Sequence, residues 1–282
     1  MSGVTGQASL AGVTGWPVAH SLSPVLMAHW IAGADLDAAY LPFAVRPDGF
    51  EAFVRGLVQS QTRGLNVTLP HKQSALALAD TASDTARAIG AANLLTFVDG
   101  RIHADNTDAA GFLAALSPAC LDYSGLTALV LGAGGASRAL VHALVASGVR
   151  KLVLANRTRD RAEALAAELA PDARIVDWDQ RDEALAAAGL VVNATAMGMK
   201  GENPLLMDWS RADAATVVFD SVYTPLVTAF LGGAQARGLT TIDGLDMLIG
   251  QAMPSFRAFF DRDPPADPPV RPVLLQRLGA DR

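Results

Sequence analysis

The sequence predicts an α/β protein of two α/β domains, the second a doubly wound parallel sheet with helices on both faces. Three observations carry this. Short apolar runs alternate with Ala- and Leu-rich amphipathic stretches along most of the chain, the pattern of strands joined by crossover helices. Aromatic residues make up only 6% of a chain that is 51% hydrophobic, which suits aliphatic strands covered by helices better than an aromatic-rich sandwich. At 282 residues the chain exceeds the usual domain size and has material for two cores.

The first domain opens with LAGVTG at 10–15, a short buried strand. Ser23 to about Ile31 reads as a helix with Pro24 in its first turn, where a missing N–H costs little. AAYLPFAV follows as a strand, PDGFEAFVRGLV as a helix, RGLNVT as a strand and HKQSALALAD as a helix. A helix near 83–89 leads to AANLLTF and GRIHA, two strands joined through Asp99-Gly100, a dipeptide suited to a tight hairpin turn. TDAAGFLAALS forms a helix over about 107–117 that stops before Pro118, and the polar ACLDYSG precedes a fresh start at Leu126, so the domain junction is expected nearby.

In the second domain LTALVLG, RKLVLAN, ARIVDW, LVVNAT, ATVVFD and LTTIDG read as strands. GASRALVHALVASG, RDRAEALAAELA, DEALAAAG and TPLVTAFLGGAQARG read as the helices between them. DMLIGQAMPSFRAFF is a further helix, DRDPPADPPVRP a stiff connector, and VLLQRLG a short helix expected to dock on a domain.

Composition narrows the function. The formal charge is -6 and no basic run is dense enough for a phosphate-backbone footprint, which argues against a nucleic-acid partner. A single cysteine, Cys120, excludes an intrachain disulfide framework and a multi-thiolate metal site. His20, His29, His71, His103 and His142 form no HExxH, so no metal is expected. Ser21 and Ser23 lack an identified triad, and no G-x-S-x-G elbow occurs. The first residues lack a charged start and long apolar run, and no stretch supplies about 18 uninterrupted apolar residues. A cytoplasmic protein without a membrane partner is therefore expected.

VLGAGGASRA is the sharpest local motif. A strand runs straight into Gly132, Ala133, Gly134, Gly135 and Ala136, and an Ala-rich helix follows. This is the arrangement in which backbone amides approach a pyrophosphate at a helix N-terminus, hence a Rossmann-like dinucleotide site. Ser137 stands at the third glycine position of GxGxxG. The next strand ends in Asn156, Arg157, Thr158 and Arg161 rather than an acid. Arg157 suits stacking on adenine or meeting an added ribose phosphate, and Arg161 supplies a second cation, so the site is expected to select NADP. LVVNATAMGM places Asn193, Thr195 and Met197 just beyond another strand, where open α/β sheets bind ligands.

Polar groups also gather at HSLSP (20–24), NVTLPHK (66–72), NTD (106–108) and DGLDMLIGQA (243–252). Together with GAGGASRA (132–139), NRT (156–158) and NATAMGM (193–199), and in this order, they make the chain resemble the shikimate dehydrogenases. That resemblance spans roughly residues 10 to 260. It implies a substrate domain at 1–107 to which 244–282 returns, and an NADP-binding domain at 108–243. It implies NADPH-dependent, reversible reduction of 3-dehydroshikimate to shikimate, in the biosynthesis of chorismate and the aromatic amino acids.

Position by position, the resemblance implies that Ser21 and Ser23 hold the substrate carboxylate, with Tyr223 beside it. Asn66, Thr68, Asn93, Asp108 and Gln251 line the hydroxylated ring, and Lys72 and Asp108 form the catalytic pair. Gly244 lies near the nicotinamide, and Asn156, Arg157, Thr158 and Arg161 lie on the adenosine-phosphate side. Residue chemistry agrees: hydride transfer to a ketone leaves negative charge on oxygen, which an ammonium on Lys72 stabilises and protonates. In the reverse direction the lysine accepts that proton, and its resting protonation stays open. Trp30, Leu94 and Ala196 depart from the family's usual Asn, Thr and Ser. A quinate or dual quinate/shikimate dehydrogenase is the nearest alternative, and a nucleotide-responsive regulatory protein on the same scaffold a more distant one. Both monomer and homodimer fit the sequence.

Overall fold

The structure is a computed structural model that describes residues 4–280; the extreme ends of the expected substrate domain, 1–3 and 281–282, lie outside the described residues. The chain forms two compact units. One comprises the chain up to Thr107 together with the chain from Ile249 onward, and the other spans Asp108–Leu248.

The first unit holds β1 (Ser9–Gly15), α1 (Ser23–Gly33), β2 (Ala38–Ala44), α2 (Phe50–Val58), β3 (Thr62–Val67) and α3 (Lys72–Leu78). It continues through β4 (Thr81–Ala82), α4 (Asp84–Ile89), β5 (Leu94–Val98) and β6 (Arg101–Asp105). Its six-stranded sheet runs β2-β1-β3-β5-β6-β4. β1, β2 and β3 are parallel, whereas β5 is antiparallel to both β3 and β6. The hairpin forms as expected because Asp99 and Gly100 both adopt positive φ, 50° and 72°, the handedness that matches strand twist. Phe50, Val54, Leu65, Val67, Leu95 and Ile102 build the core on one face.

The second unit holds α5 (Asp108–Leu116), β7 (Thr127–Leu131), α6 (Gly135–Ala146), β8 (Lys151–Ala155), α7 (Arg159–Leu169), β9 (Arg174–Val176), β10 (Leu190–Asn193), β11 (Val217–Asp220), α8 (Ala229–Ala236) and β12 (Thr240–Ile242). Its strands are all parallel in the order β12-β11-β10-β7-β8-β9. Sequence order therefore reverses between β7 and β10, the place where such sheets open a ligand crevice beyond the strand ends. Leu129, Leu131, Val191, Val218, Phe230 and Leu231 fill its core.

Two expected helices change. DEALAAAG forms only a 3-10 turn, Glu183–Ala187, short and bounded by Gly189. The helix expected from Thr224 starts at α8, because Thr228 takes the N-cap and its hydroxyl accepts the Leu231 amide at 3.2 Å.

α9 (Gly244–Phe260) keeps its course through Pro254. α10 (Val270–Ala280) packs on α1 within the first unit, burying Val270 and Leu274, while His29 Nε2 meets the Pro268 carbonyl at 2.8 Å. Among the described residues no helix is long and apolar enough to cross a membrane, and no cluster of His, Cys, Asp or Glu could hold a metal.

Candidate active site

In the first unit Asn66, Asn93 and Gln251, among the polar residues singled out by the sequence, share one hydrogen-bonded group. β3 delivers Asn66, 7% exposed, whose neighbours in register are Val13 on β1 and Leu94 on β5. Its amide is closely specified. Nδ2 donates to the Asn93 carbonyl at 3.2 Å and to Ser255 Oγ at 2.8 Å. Oδ1 accepts the Tyr40 hydroxyl at 2.7 Å. Because Ser255 donates its own proton to the Gln251 carbonyl at 3.3 Å, its oxygen is an acceptor toward Asn66, which fixes which end of the amide is nitrogen. One lone pair on Oδ1 is left for a ligand. Burial holds the Tyr40 hydroxyl well above the usual tyrosine range, so it stays a donor.

Asn93 is fixed in the same manner. Nδ2 faces Thr107 Oγ1 at 3.0 Å and Gln251 Oε1 at 3.4 Å, and Oδ1 accepts the Thr107 amide at 2.8 Å. Thus Asn66, Asn93 and Gln251 stand in one hydrogen-bonded group with Tyr40, Thr107 and Ser255, three residues the sequence reading passed over. A tyrosine inside an alternating strand and a serine inside an amphipathic helix look like ordinary packing; only the asparagines they serve give them away.

Thr68 follows β3, its amide bonded to the Thr14 carbonyl at 2.9 Å. Its methyl lies 2.4 Å from where a Cβ on Gly15 would be, so position 15 has room only for glycine. Lys72 is the first residue of α3, half-buried, and its carbonyl accepts the Ala92 amide at 2.9 Å. His71 beside it is buried, stacked on Phe50 with centroids 4.4 Å apart, and its Nε2 meets the Val45 carbonyl at 2.8 Å; it anchors the loop. Ser21 Oγ accepts the Ser23 amide at 3.3 Å, so the free amide of the first residue of α1 is met from one turn upstream. Ser23 is buried, and Pro24 sits in the first turn as expected. The residue flanking the helix is Leu22, which has no side-chain cap to offer.

In the second unit the residues singled out by the sequence follow β7, β8, β10 and β11, those after β7 and β10 flanking the switch point. Gly132 follows β7 with φ 110°, a conformation favouring glycine. A Cβ there would also meet the Thr195 methyl at 2.9 Å and the Ala194 carbonyl at 3.0 Å. Open space surrounds Gly134 and Gly135. The amides of Gly135 and Ala136, in the first turn of α6, have no intrahelical acceptor and are presented with the positive end of the helix dipole. Ser137 is fully buried; its hydroxyl accepts the Gly134 amide at 3.1 Å and donates to the Ala194 carbonyl at 3.4 Å. It ties the glycine loop to the loop after β10, a task a third glycine lacks the atoms for.

After β8, Asn156 Nδ2 donates to the Thr158 carbonyl at 2.8 Å and folds the turn. Arg157 and Arg161 are exposed. Arg159 between them is engaged with Glu163 and Asp177, both at 2.7 Å.

After β10, Asn193 is fully buried, and its Oδ1 accepts the Thr195 amide at 3.0 Å and hydroxyl at 2.7 Å. Its Nδ2 donates to the Met197 carbonyl at 3.2 Å and to Asp220 at 2.9 Å. The Asn193 side chain therefore builds its loop, in which Thr195 is half-buried, Ala196 is exposed and Met197 is half-buried against the core. Tyr223 is half-buried in the loop after β11, and Asp108, 6% exposed, begins α5. Gly244 abuts that same loop: a Cβ would lie 2.3 Å from the Ser221 carbonyl oxygen.

Asp220, which sequence reading did not single out, is fully buried in the end of β11. Burial pushes its carboxyl up to about 6, with Asp243 adding repulsion, against the opposing bonds from Thr228, Val222 and Asn193. A raised carboxyl is ionised in the fold at a cost that is absent below about pH 4 and complete above about pH 6. From the shift of about two units the penalty at neutral pH is about 3 kcal/mol.

Comparison with known proteins agrees with both units. Residues 13–95 match the family described as shikimate dehydrogenase substrate binding domain, and 115–208 match shikimate / quinate 5-dehydrogenase. The shikimate dehydrogenase (NADP(+)) of Maricaulis maris (strain MCS10) is 54% identical over 276 residues, covering 98% of this chain and 99% of that protein. The crystal structure of shikimate dehydrogenase from Aquifex aeolicus superposes with a TM-score of 0.87 at 36% identity, covering 93% of this chain and 96% of that one. Shikimate 5-dehydrogenase from Thermus thermophilus, in complex with NADP(H) and shikimate, gives 0.83 at 36% identity, covering 96% and 98%. By sequence along nearly its whole length, and by fold, this chain belongs to the shikimate dehydrogenase family.

Proposed function

We propose that this chain catalyses the NADPH-dependent, reversible reduction of 3-dehydroshikimate to shikimate, supplying chorismate and aromatic amino-acid biosynthesis in the cytoplasm. The observation that carries the reading is family membership over nearly the whole chain. The residues present also fit the cofactor. Open space at Gly134 and Gly135 admits a pyrophosphate to the amides at the start of α6, and Arg157 and Arg161 are exposed where Arg159 is already occupied by acids. When bound, NADPH supplies the hydride.

The chain's own residues do the rest. Ser21 and Ser23, at the start of α1, bind the substrate carboxylate in the favourable field of a helix N-terminus, and the family resemblance adds Tyr223 as a further contact of that carboxylate. Asn66, Thr68, Asn93 and Gln251 bind ring hydroxyls, and because Asn66 has only an acceptor to spare, its partner must be a hydroxyl that donates. Lys72 Nζ stabilises the charge that grows on the ketone oxygen and gives it a proton, and Asp108 orients the substrate and supports that lysine. In oxidation the same lysine takes the proton. Gly132 to Ala136, and Asn156, Arg157, Thr158 and Arg161, hold the two phosphate-bearing parts of the cofactor, and the Asn193–Met197 loop with Gly244 shapes the nicotinamide end.

The test is to follow NADPH and NADH absorbance separately with 3-dehydroshikimate and with 3-dehydroquinate, using Lys72→Ala as blank. Activity confined to NADPH with 3-dehydroshikimate supports the proposal. Comparable rates with 3-dehydroquinate make it a dual enzyme, and none with either substrate leaves a nucleotide-binding protein without this reaction.

The donor to Asn66 gives a local prediction. Tyr40→Phe leaves a buried acceptor unpaired and the amide less constrained, so stability should fall by about 1–2 kcal/mol and kcat/KM by about tenfold, mostly through KM. Denaturant unfolding and steady-state kinetics measure the two, and an unchanged KM would show that Asn66 does not need the tyrosine to meet the substrate.

A further inference from the structure

Asp220 is a buried carboxylate that the proposed chemistry does not use. It lies at the end of β11, in register with Asn193 at the end of β10. Oδ1 accepts Asn193 Nδ2 at 2.9 Å and the Val222 amide at 2.9 Å, and Oδ2 accepts the Thr228 hydroxyl at 2.6 Å. Its three donors belong to three segments: the last residue of β10, from which the Asn193–Met197 loop leaves, the Tyr223 loop after β11, and the N-cap of α8. No lysine, arginine or histidine pairs with it in an ion pair among the described residues.

We infer that Asp220 is a positioning residue for hydride transfer: its carboxylate locks the Asn193–Met197 loop and the Tyr223 loop to one another at the switch point of the sheet. The inference rests on the reading that these two loops serve the nicotinamide and the substrate. Asn193 has its remaining amide valences spent within its own loop, so Asp220 is the side chain that references that loop to β11, beside the backbone bonds from the Ser221 amide to the Asn193 carbonyl at 3.0 Å and from the Lys200 amide to the Thr224 carbonyl at 2.9 Å. Thr228 is shared in the same sense, because its side chain also packs 3.2 Å from the Cβ position of Gly198, just past Met197. Asp220 therefore closes a ring of contacts running Asn193, Asp220, Thr228, Gly198.

A carboxylate is a costly way to join two loops if joining is all that is required. Burial opposes its ionisation, and Asp243 adds to that opposition. A neutral amide of the same shape keeps an acceptor for Asn193 and Val222 but turns an NH2 toward Thr228 Oγ1, which has one lone pair left beside the one that takes the Leu231 amide and must turn its own proton away. The tie to Thr228 then changes from a charge-assisted bond to a weaker neutral one of reversed direction while the buried charge disappears.

Asp220→Asn is expected to melt at or above the temperature of the unsubstituted protein at pH 7.5 while kcat/KM falls about ten- to a hundredfold, the size of loss that a displacement of about 1 Å brings. NADPH affinity, followed by nucleotide fluorescence, should change less than threefold, since the phosphate contacts are elsewhere. Thr228→Val should lower kcat/KM in the unsubstituted protein and lower it less in the Asp220→Asn background, because the tie it removes is already weakened there. Full activity in Asp220→Asn overturns the inference, as does a fall in melting temperature that accompanies the loss, which would mark Asp220 as a support of the fold alone. If Asp220→Asn does not fold, additive losses from Thr228→Val and Asn193→Ser overturn it, and less than additive losses support it. Tyr223→Phe, measured alongside, separates the two levels: if it leaves KM and kcat intact, the reading of the Tyr223 loop fails, whereas impairment there with none in Asp220→Asn rejects the role of Asp220.

Discussion

Lys72→Ala is expected to lower turnover by about 10²–10⁴-fold, the usual contribution of a positioned proton donor, while NADPH binding stays within about twofold. The lysine is anchored by backbone at the first position of α3, with its carbonyl on the Ala92 amide and the neighbouring His71 stacked on Phe50. Truncating its side chain leaves those ties intact, so the fold should persist and the loss should fall on kcat. Steady-state rates with saturating 3-dehydroshikimate, beside a fluorescence titration of NADPH, separate the two quantities. Normal turnover in the variant would remove Lys72 from the chemistry.

The second large effect is expected at the cofactor. Arg157→Asp should cut kcat/KM with NADPH by about a hundredfold, corresponding to about 3 kcal/mol of charge-assisted bonding and new repulsion, and change the value with NADH only a few fold. The structure makes the choice of arginine specific: Arg159 is taken by Glu163 and Asp177, whereas Arg157 stands exposed in the turn that Asn156 folds. The measurement is the ratio of the two efficiencies. An unchanged ratio would move the ribose-phosphate contact elsewhere.

The sequence carried the second unit well because its signals are local. A strand entering Gly132, a helix starting at Gly135, and six apolar runs in alternation with helices leave few topologies open. The Asp99-Gly100 turn was legible for the same reason, since two positive φ values are demanded within two residues. Elements whose form is decided by distant atoms were less legible. The start of α8 depends on Thr228 as N-cap and on the Asp220 carboxylate that holds it, and the two-residue β4 exists only by pairing with β6.

The site divides in the same way. The family resemblance named Asn66, Asn93 and Gln251, but it gave no role to Tyr40, Thr107 and Ser255, which meet them across 26, 14 and 189 positions of chain. Spacing cannot reveal such partners. Asp220 did leave one sign: an acid terminates an otherwise apolar VVFD strand, at the level where the neighbouring strand ends in Asn193. A charge that interrupts a buried run at the ligand end of a parallel sheet merits the question of what it holds.

The fully engaged NH2 of Asn66 constrains which side chains this position can hold. An aspartate there would turn an oxygen toward two acceptors, the Asn93 carbonyl and the Ser255 oxygen, so the position is held by its protein neighbours regardless of substrate. Drift toward a differently hydroxylated ring acid is therefore blocked at this residue even when selection favours it. It has to enter through side chains with fewer internal obligations, such as Thr68, leaving Asn66 as an inherited constant around which new specificities are arranged.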